Sequence, residues 1–143
     1  MSLLKLRIEA PVKPTESQAK IEECIKKIFP TLKLKLTGNL IVGESRRPEA
    51  LGRLHQKLRL QAIRDSARKI LRSRQEGNRL RFMLNKQAAT ISKVSFTDGE
   101  SPLGPITVTV KSSDLEKVID YLAPKTREGK PVKEVKLEEI KPN

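Results

Sequence analysis

The chain has 143 residues, one cysteine, and 30 Lys and Arg against 17 Asp and Glu, for a net charge of +13. A single domain of this size stands without metal or disulfide, and lone Cys24 excludes an internal disulfide or a CxxC metal site. No run is long and apolar enough for a membrane helix, so the expectation is a soluble, cytoplasmic protein whose charge draws polyanions, nucleic acid before anionic membrane.

The N-terminal MSLLKLRIEA alternates rather than forming a signal core, and Leu4, Leu6 and Ile8 share one face of a first strand over residues 3–9. PTESQAKIEECIKKIFP predicts a helix with Thr15 as N-cap, Gln18 completing a capping box, and Ile21, Cys24, Ile25 and Ile28 as the apolar stripe. In TLKLKLTGNLIVGES, Leu32, Leu34 and Leu36 lie on one face, and Gly38-Asn39 fits a two-residue hairpin turn.

A long basic helix is predicted from Ser45 to Gly77, with Pro48 in its first turn and Gly77 as C-cap. RLRFML alternates through Leu80, Phe82 and Leu84; Asn85 caps a short helical piece at Lys86–Thr90. Strands follow at Lys93–Thr97 and Ile106–Lys111, separated by the Gly- and Pro-rich DGESPLGP. Ser113 caps a last helix, DLEKVIDYLA. The pattern predicts an α+β fold: a split β-α-β start, then a mostly antiparallel sheet with helices on one face and one long basic helix. Residues 1–123 form a single domain, and 124–143 form a charged tail that is either mobile or docked through Val135 and Leu137.

On a helical wheel the long helix carries two apolar stripes. Leu51, Leu54, Leu58 and Ala62 share one; Leu60, Ile63, Ala67, Ile70 and Leu71 share another, rotated by roughly 150°. Two stripes imply that the ends bury against different bodies, either C-terminal strands of the same chain or a partner subunit in an isologous dimer. Between them Arg53, Lys57, Arg64, Arg68 and Arg72 fall in one arc. Arg46 to Arg74 holds ten basic residues against Glu49 and Asp65. Such a ridge can follow phosphates, and Arg46, Arg47 and Lys86 could join it. The competing reading is a solvated face of strong helix-formers. Aromatic residues are only 3% of the chain, with Phe82 and Phe96 expected inside. The expectation is therefore contact with phosphates and the shape of a folded RNA or duplex rather than base stacking.

No phosphate-loop, zinc-protease or serine-hydrolase motif occurs, and Asp98 and Glu100 have no base or nucleophile in pattern with them. The expectation is a non-enzymatic protein with no catalytic residue, metal or cofactor. His55 reads as an ordinary helix-surface residue, Cys24 as core, and Asn85-Lys86-Gln87 either as a polar site at a sheet edge or as a cap with a helical turn behind it. The rival to RNA contact is a dimeric structural or adaptor protein whose charge reflects a hot, salty cell.

LRLQAIRDSARKIL, RLRFMLNKQAATISKVSF and SPLGPITV together resemble a small archaeal family of uncharacterised proteins labelled RNA-binding by fold similarity. The resemblance is strongest from Leu58 to Val108. It departs at Ile91-Ser92, where a Gly-containing turn is expected. It implies an α+β fold similar to the ribosomal protein that holds 5S RNA, and a homodimer. It implies no reaction or catalytic residue.

Overall fold

The computed structural model describes residues 4–99, 102–127, 130–132 and 134–140. The expectations for Leu3 and Glu100, and for tail residues 128–129, 133 and 141–143, lie outside the described residues. The elements run β1 (Leu4–Pro11), α1 (Gln18–Ile28), β2 (Leu34–Thr37), β3 (Leu40–Ser45), a 3-10 turn at Pro48–Leu51, α2 (Gly52–Leu60) and α3 (Arg64–Ser73). They continue with β4 (Gln75–Glu76), β5 (Arg79–Leu84), α4 (Lys86–Thr90), β6 (Phe96–Thr97), β7 (Ile106–Ser112) and α5 (Leu115–Leu122). A two-stranded antiparallel pair, β8 (Thr126–Arg127) and β9 (Lys130–Pro131), and a 3-10 turn at Leu137–Glu139 follow among the described residues.

The main sheet has the order β2-β3-β1-β7-β5-β4, with β6 also on β5. Because β3 is antiparallel to both β1 and β2, β2 runs parallel to β1 with β3 between them. That is the split β-α-β arrangement, on an α+β domain of mostly antiparallel sheet. Alternation decides the faces: Leu4, Leu6, Ile8 and Ala10 of β1, Leu80, Phe82 and Leu84 of β5, and Ile106, Val108 and Val110 of β7 are all buried under the helices. The Gly38-Asn39 turn closes β2 on β3 with Gly38 at φ 65°.

The long basic helix is a pair of helices. α2 stops at Leu60 and α3 starts at Arg64. Ala62 sits at φ 56°, its N–H donates to the Arg59 carbonyl, and the Ile63 N–H reaches back to the Leu58 carbonyl. These two bonds make a Schellman closure with alanine where glycine is usual. The break accounts for the two apolar stripes. A continuous helix would bury Leu54 and Leu58 only by turning Ala67 and Leu71 outward. The bend lets all four pack into one core, where each is at most 1% exposed. Keeping Leu71 inside is worth about 1.5–3 kcal/mol; with Ala67 and the half-buried Ile63 and Ile70 added, that outweighs the ~1–2 kcal/mol of a left-handed alanine. No second body is required to explain the stripes.

Other termini shift by a residue or two. Ser17, not Thr15, caps α1, its Oγ accepting from the Lys20 N–H at 3.5 Å. Asp114, not Ser113, caps α5 through the Lys117 N–H at 3.3 Å. Gly77, at φ 60°, does not cap a helix; it lies in the tight turn between β4 and β5. Asn85 caps α4 as expected, its Oδ1 accepting from the Ala88 N–H at 3.0 Å. In the tail, Val135 and Ile140 are buried in the core and Leu137 packs against it.

Candidate nucleic-acid interface

The break splits the expected ridge. Arg53 and Lys57 ride on α2 beside α1 and α4, while Arg68 and Arg72 on α3 face α5. Lys57 donates to the Ser92 carbonyl at 2.5 Å and Lys27 to that of Thr90, so both cations help satisfy the carbonyls at the end of α4. Burial, with Arg53 and Lys27 nearby, holds the Lys57 ammonium below its ordinary range. Ser92 itself adopts φ 61°, with its N–H on the Ala89 carbonyl and that of Lys93 on Ala88. The glycine-type turn expected at this point is therefore present in conformation although serine occupies it.

Two of the expected phosphate contacts are committed inside the fold. The Lys86 ammonium is 7% exposed and gives its three protons to the carbonyls of Pro11 (2.6 Å) and Leu103 (2.7 Å) and to Glu16 Oε1 (3.0 Å). It pins the end of β1, the approach to α1 and the loop before β7 to one point, and has no donor left for a phosphate. The Arg68 guanidinium donates to Asp120 Oδ1 at 2.7 Å and to the Ala123 carbonyl at 3.2 Å, tying α3 to the end of α5. Arg72 is exposed and lies 3.9 Å from Glu116, a loose surface pairing of little strength. Arg64 is half-buried and not free of partners. His55 is not an ordinary surface residue: its ring stacks on Tyr121 at 4.3 Å and 11°, and Nδ1–H donates to the Tyr121 carbonyl at 2.7 Å.

Arg46, Arg47 and Arg53 are exposed, and among the described residues their side chains make no ion pair. Arg46 and Arg47 line a cleft of about 950 Å³ with Thr31, Lys33, Glu44 and Glu49. Arg46 also borders a second hollow of about 330 Å³, formed with Lys5, Asn78, Lys111 and Ser113. Its lining includes both the buried Leu4 and Ser112 and the outward-facing Lys5 and Lys111 of the same strand ends.

The uncovered face carries a charge pattern that the sequence does not announce. Register places Lys5, Lys111 and Arg79 side by side across β1, β7 and β5. The next row is Arg7, Thr109 and Arg81, and the one after it Glu9, Thr107 and Met83. Glu44 on β3 takes Lys5 at 3.2 Å and Arg7 at 2.7 Å, and Arg7 also meets Glu9 at 2.8 Å. Those contacts lower the Glu44 carboxyl, chiefly through Lys5, and raise the Arg7 guanidinium, chiefly through Glu9. Arg79, Arg81 and Lys111 are exposed and make no ion pair among the described residues. Each occupies an outward position of a strand that alternation identifies; only strand order and register make them neighbours.

Comparison with known proteins places this architecture. A family model described as RNA binding matches residues 5–112. A "UPF0201 protein" of Sulfurisphaera tokodaii is 43% identical over 136 residues, 91% of this chain and 94% of its own length. The crystal structure of a UPF0201 protein from Methanococcus jannaschii is similar with a TM-score of 0.78 and 31% identity, over 90% of this chain and 99% of that one. In Archaeoglobus fulgidus the similarity is to part of a longer chain, a "UPF0200/UPF0201 protein", 35% identical over 135 residues that make up 92% of this chain and 41% of that one. With that fold and that extent of identity, the chain belongs to the archaeal UPF0201 family, whose matching family model is described as RNA binding.

Proposed function

We propose that the protein is a non-enzymatic, cytoplasmic RNA-interacting module that holds phosphates of folded RNA through surface cations. The supporting observation is that Arg46, Arg47 and Arg53 stand exposed with no carboxylate partner among the described residues, in a chain with a large positive excess. Lys57, Arg64 and Arg72 lie on the same pair of helices and are partly engaged; Lys86 and Arg68 have structural roles instead. Fixed cations displace counterions from a polyanion, so affinity falls steeply as salt rises. The test is binding of a structured RNA across a salt series by the wild type and by R46Q/R47Q/R53Q. The expected result is salt-dependent wild-type binding and a log–log slope reduced by roughly one for each phosphate that the variant no longer neutralises. Wild-type affinity that is negligible or indifferent to salt would overturn the reading.

A second reading, a homodimeric or adaptor role, has its own support. Leu60 is 75% exposed and Ile91 67%, large values for such side chains. Lys57 and Gln61 hold the segments that carry them together through bonds to Ser92 and Val94. The Archaeoglobus relative, with similarity over 41% of its length, is consistent with a unit that works beside another. A dimer in native mass spectrometry that becomes monomeric on L60K/I91K would support this reading, and a monomeric wild type would remove the homodimer.

A further inference from the structure

Resting on the RNA reading above, we infer that the uncovered face of the main sheet is a docking surface for the sugar-phosphate backbone of double-stranded RNA, centred on Arg79, Arg81 and Lys111. Lys111 is remote from β5 in the chain, yet it lies directly across from Arg79, with Arg81 two positions along the same strand as Arg79. Adjacent strands are about 4.8 Å apart and same-face residues about 7 Å apart along a strand. The backbone positions of the three cations therefore form a compact triangle on the sheet.

Compensation is lopsided across this face. Glu44 and Glu9 neutralise Lys5 and Arg7 on the β1–β3 side. Toward β5, Glu76 lies opposite Arg79 in register but forms no ion pair with it among the described residues. The free charge thus sits over β7 and β5, bordered by the hydroxyls of Thr107 and Thr109, which face the same way. Arg46 extends it around the sheet's end through the shared hollow.

The chemistry of the face selects among anionic partners. No aromatic residue stands in the outward rows; Phe96 pairs in register with buried Leu84 and packs against Phe82 on the inner side. Unpaired bases are held by stacking, which this surface cannot provide. A duplex keeps its bases inside and presents phosphates and 2′-hydroxyls, groups that arginine, lysine and threonine side chains can bind. Arginine also forks onto two phosphate oxygens, a geometry that lysine lacks.

The experiment compares wild type, R79Q/R81Q/K111Q and R46Q/R47Q/R53Q against a blunt RNA duplex, a single strand of equal length, and the corresponding DNA duplex, each over a salt series. Thermal melts confirm that all three proteins are folded. The inference expects the sheet variant to lose about tenfold or more in duplex-RNA affinity and roughly two to three units of log–log slope, with the wild type favouring duplex over single-stranded RNA. Wild-type binding with an unchanged slope in the sheet variant would overturn the sheet assignment while leaving the RNA reading intact. Single-strand binding as tight as duplex binding would overturn the duplex assignment. Displacement of the RNA by polyglutamate at equal charge would identify an acidic protein surface as the better partner and overturn the inference too. DNA bound as tightly as RNA would retain phosphate docking but overturn RNA as its source. Absence of all wild-type binding is a different result, because it removes the RNA reading itself.

Discussion

Replacing Ala62 with glycine tests the break between α2 and α3 by the sign of a stability change. Ala62 lies at φ 56° in an exposed position, so the substitution removes a strained Cβ without opening a hole in the core. A left-handed L-residue costs about 1–2 kcal/mol, and glycine's larger loss of backbone freedom on folding returns roughly 0.5–1 kcal/mol of that gain. The expected net effect is stabilisation by about 0.5–1 kcal/mol. For a chain of this length, an unfolding entropy of ~2.1 cal/mol/K per residue converts that to a rise in Tm of roughly 2–3 °C. Urea unfolding monitored by circular dichroism reads the same change as a midpoint shift at constant slope. A continuous helix through residues 51–73 would give the opposite sign, since glycine in a helix interior costs about 1 kcal/mol relative to alanine. A destabilised A62G would therefore refute both the Schellman closure and the explanation of the two apolar stripes.

Lys86→Met should destabilise by about 3–5 kcal/mol, because it leaves the Glu16 carboxylate, 12% exposed, without its partner; the midpoint of urea unfolding measures it, and adding Glu16→Gln should recover part of the loss. Gly104→Ala should cost about 2 kcal/mol or more: φ is 79° and a Cβ would come within 2.6 Å of the rigid Pro11 ring. A variant as stable as wild type in the same assay would contradict that packing. Thr126 bonds Asp65 through its hydroxyl at 2.6 Å and its N–H at 3.2 Å, which together hold the Asp65 carboxyl below its ordinary range. A depressed carboxyl contributes stability above its unfolded-state pKa and loses that contribution as pH falls through the lower folded value. Hydrogen exchange at Thr126 should therefore show extra acid-induced opening below about pH 4 that D65N lacks.

Regular elements are the legible part of this chain, because alternation and caps are local. The strands through Leu4, Leu80 and Val108 follow from period-two burial, and Asn85 as a cap follows from one side chain reaching one N–H. The break at Ala62 is hidden because a left-handed turn is usually read from glycine, whereas here and at Ser92 tertiary packing imposes it on other residues. No Gly or Pro marks Gln61–Ile63, and basic residues continue on both sides at Arg59 and Arg64, so a single helical wheel spans a joint. For the same reason, Arg53 and Arg72 share a ridge on the wheel that the bend divides in the fold. Lys86 reads as a surface cation in the sequence because its acceptors on Pro11, Glu16 and Leu103 are remote along the chain. The cations of the uncovered sheet face are individually predictable as outward residues, but their adjacency depends on β7 lying between β1 and β5.

The placement of β7 between the first and fifth strands also has a temporal consequence. A ribosome must release the chain past residue 112 before Lys111 can close the gap between Lys5 and Arg79. Until then the positive charge is strung along an open polymer and cannot present this shape. Maturation of the sheet, rather than charge content alone, decides when the surface exists, so acquisition of shape-selective polyanion affinity during refolding would report the seating of that late central strand.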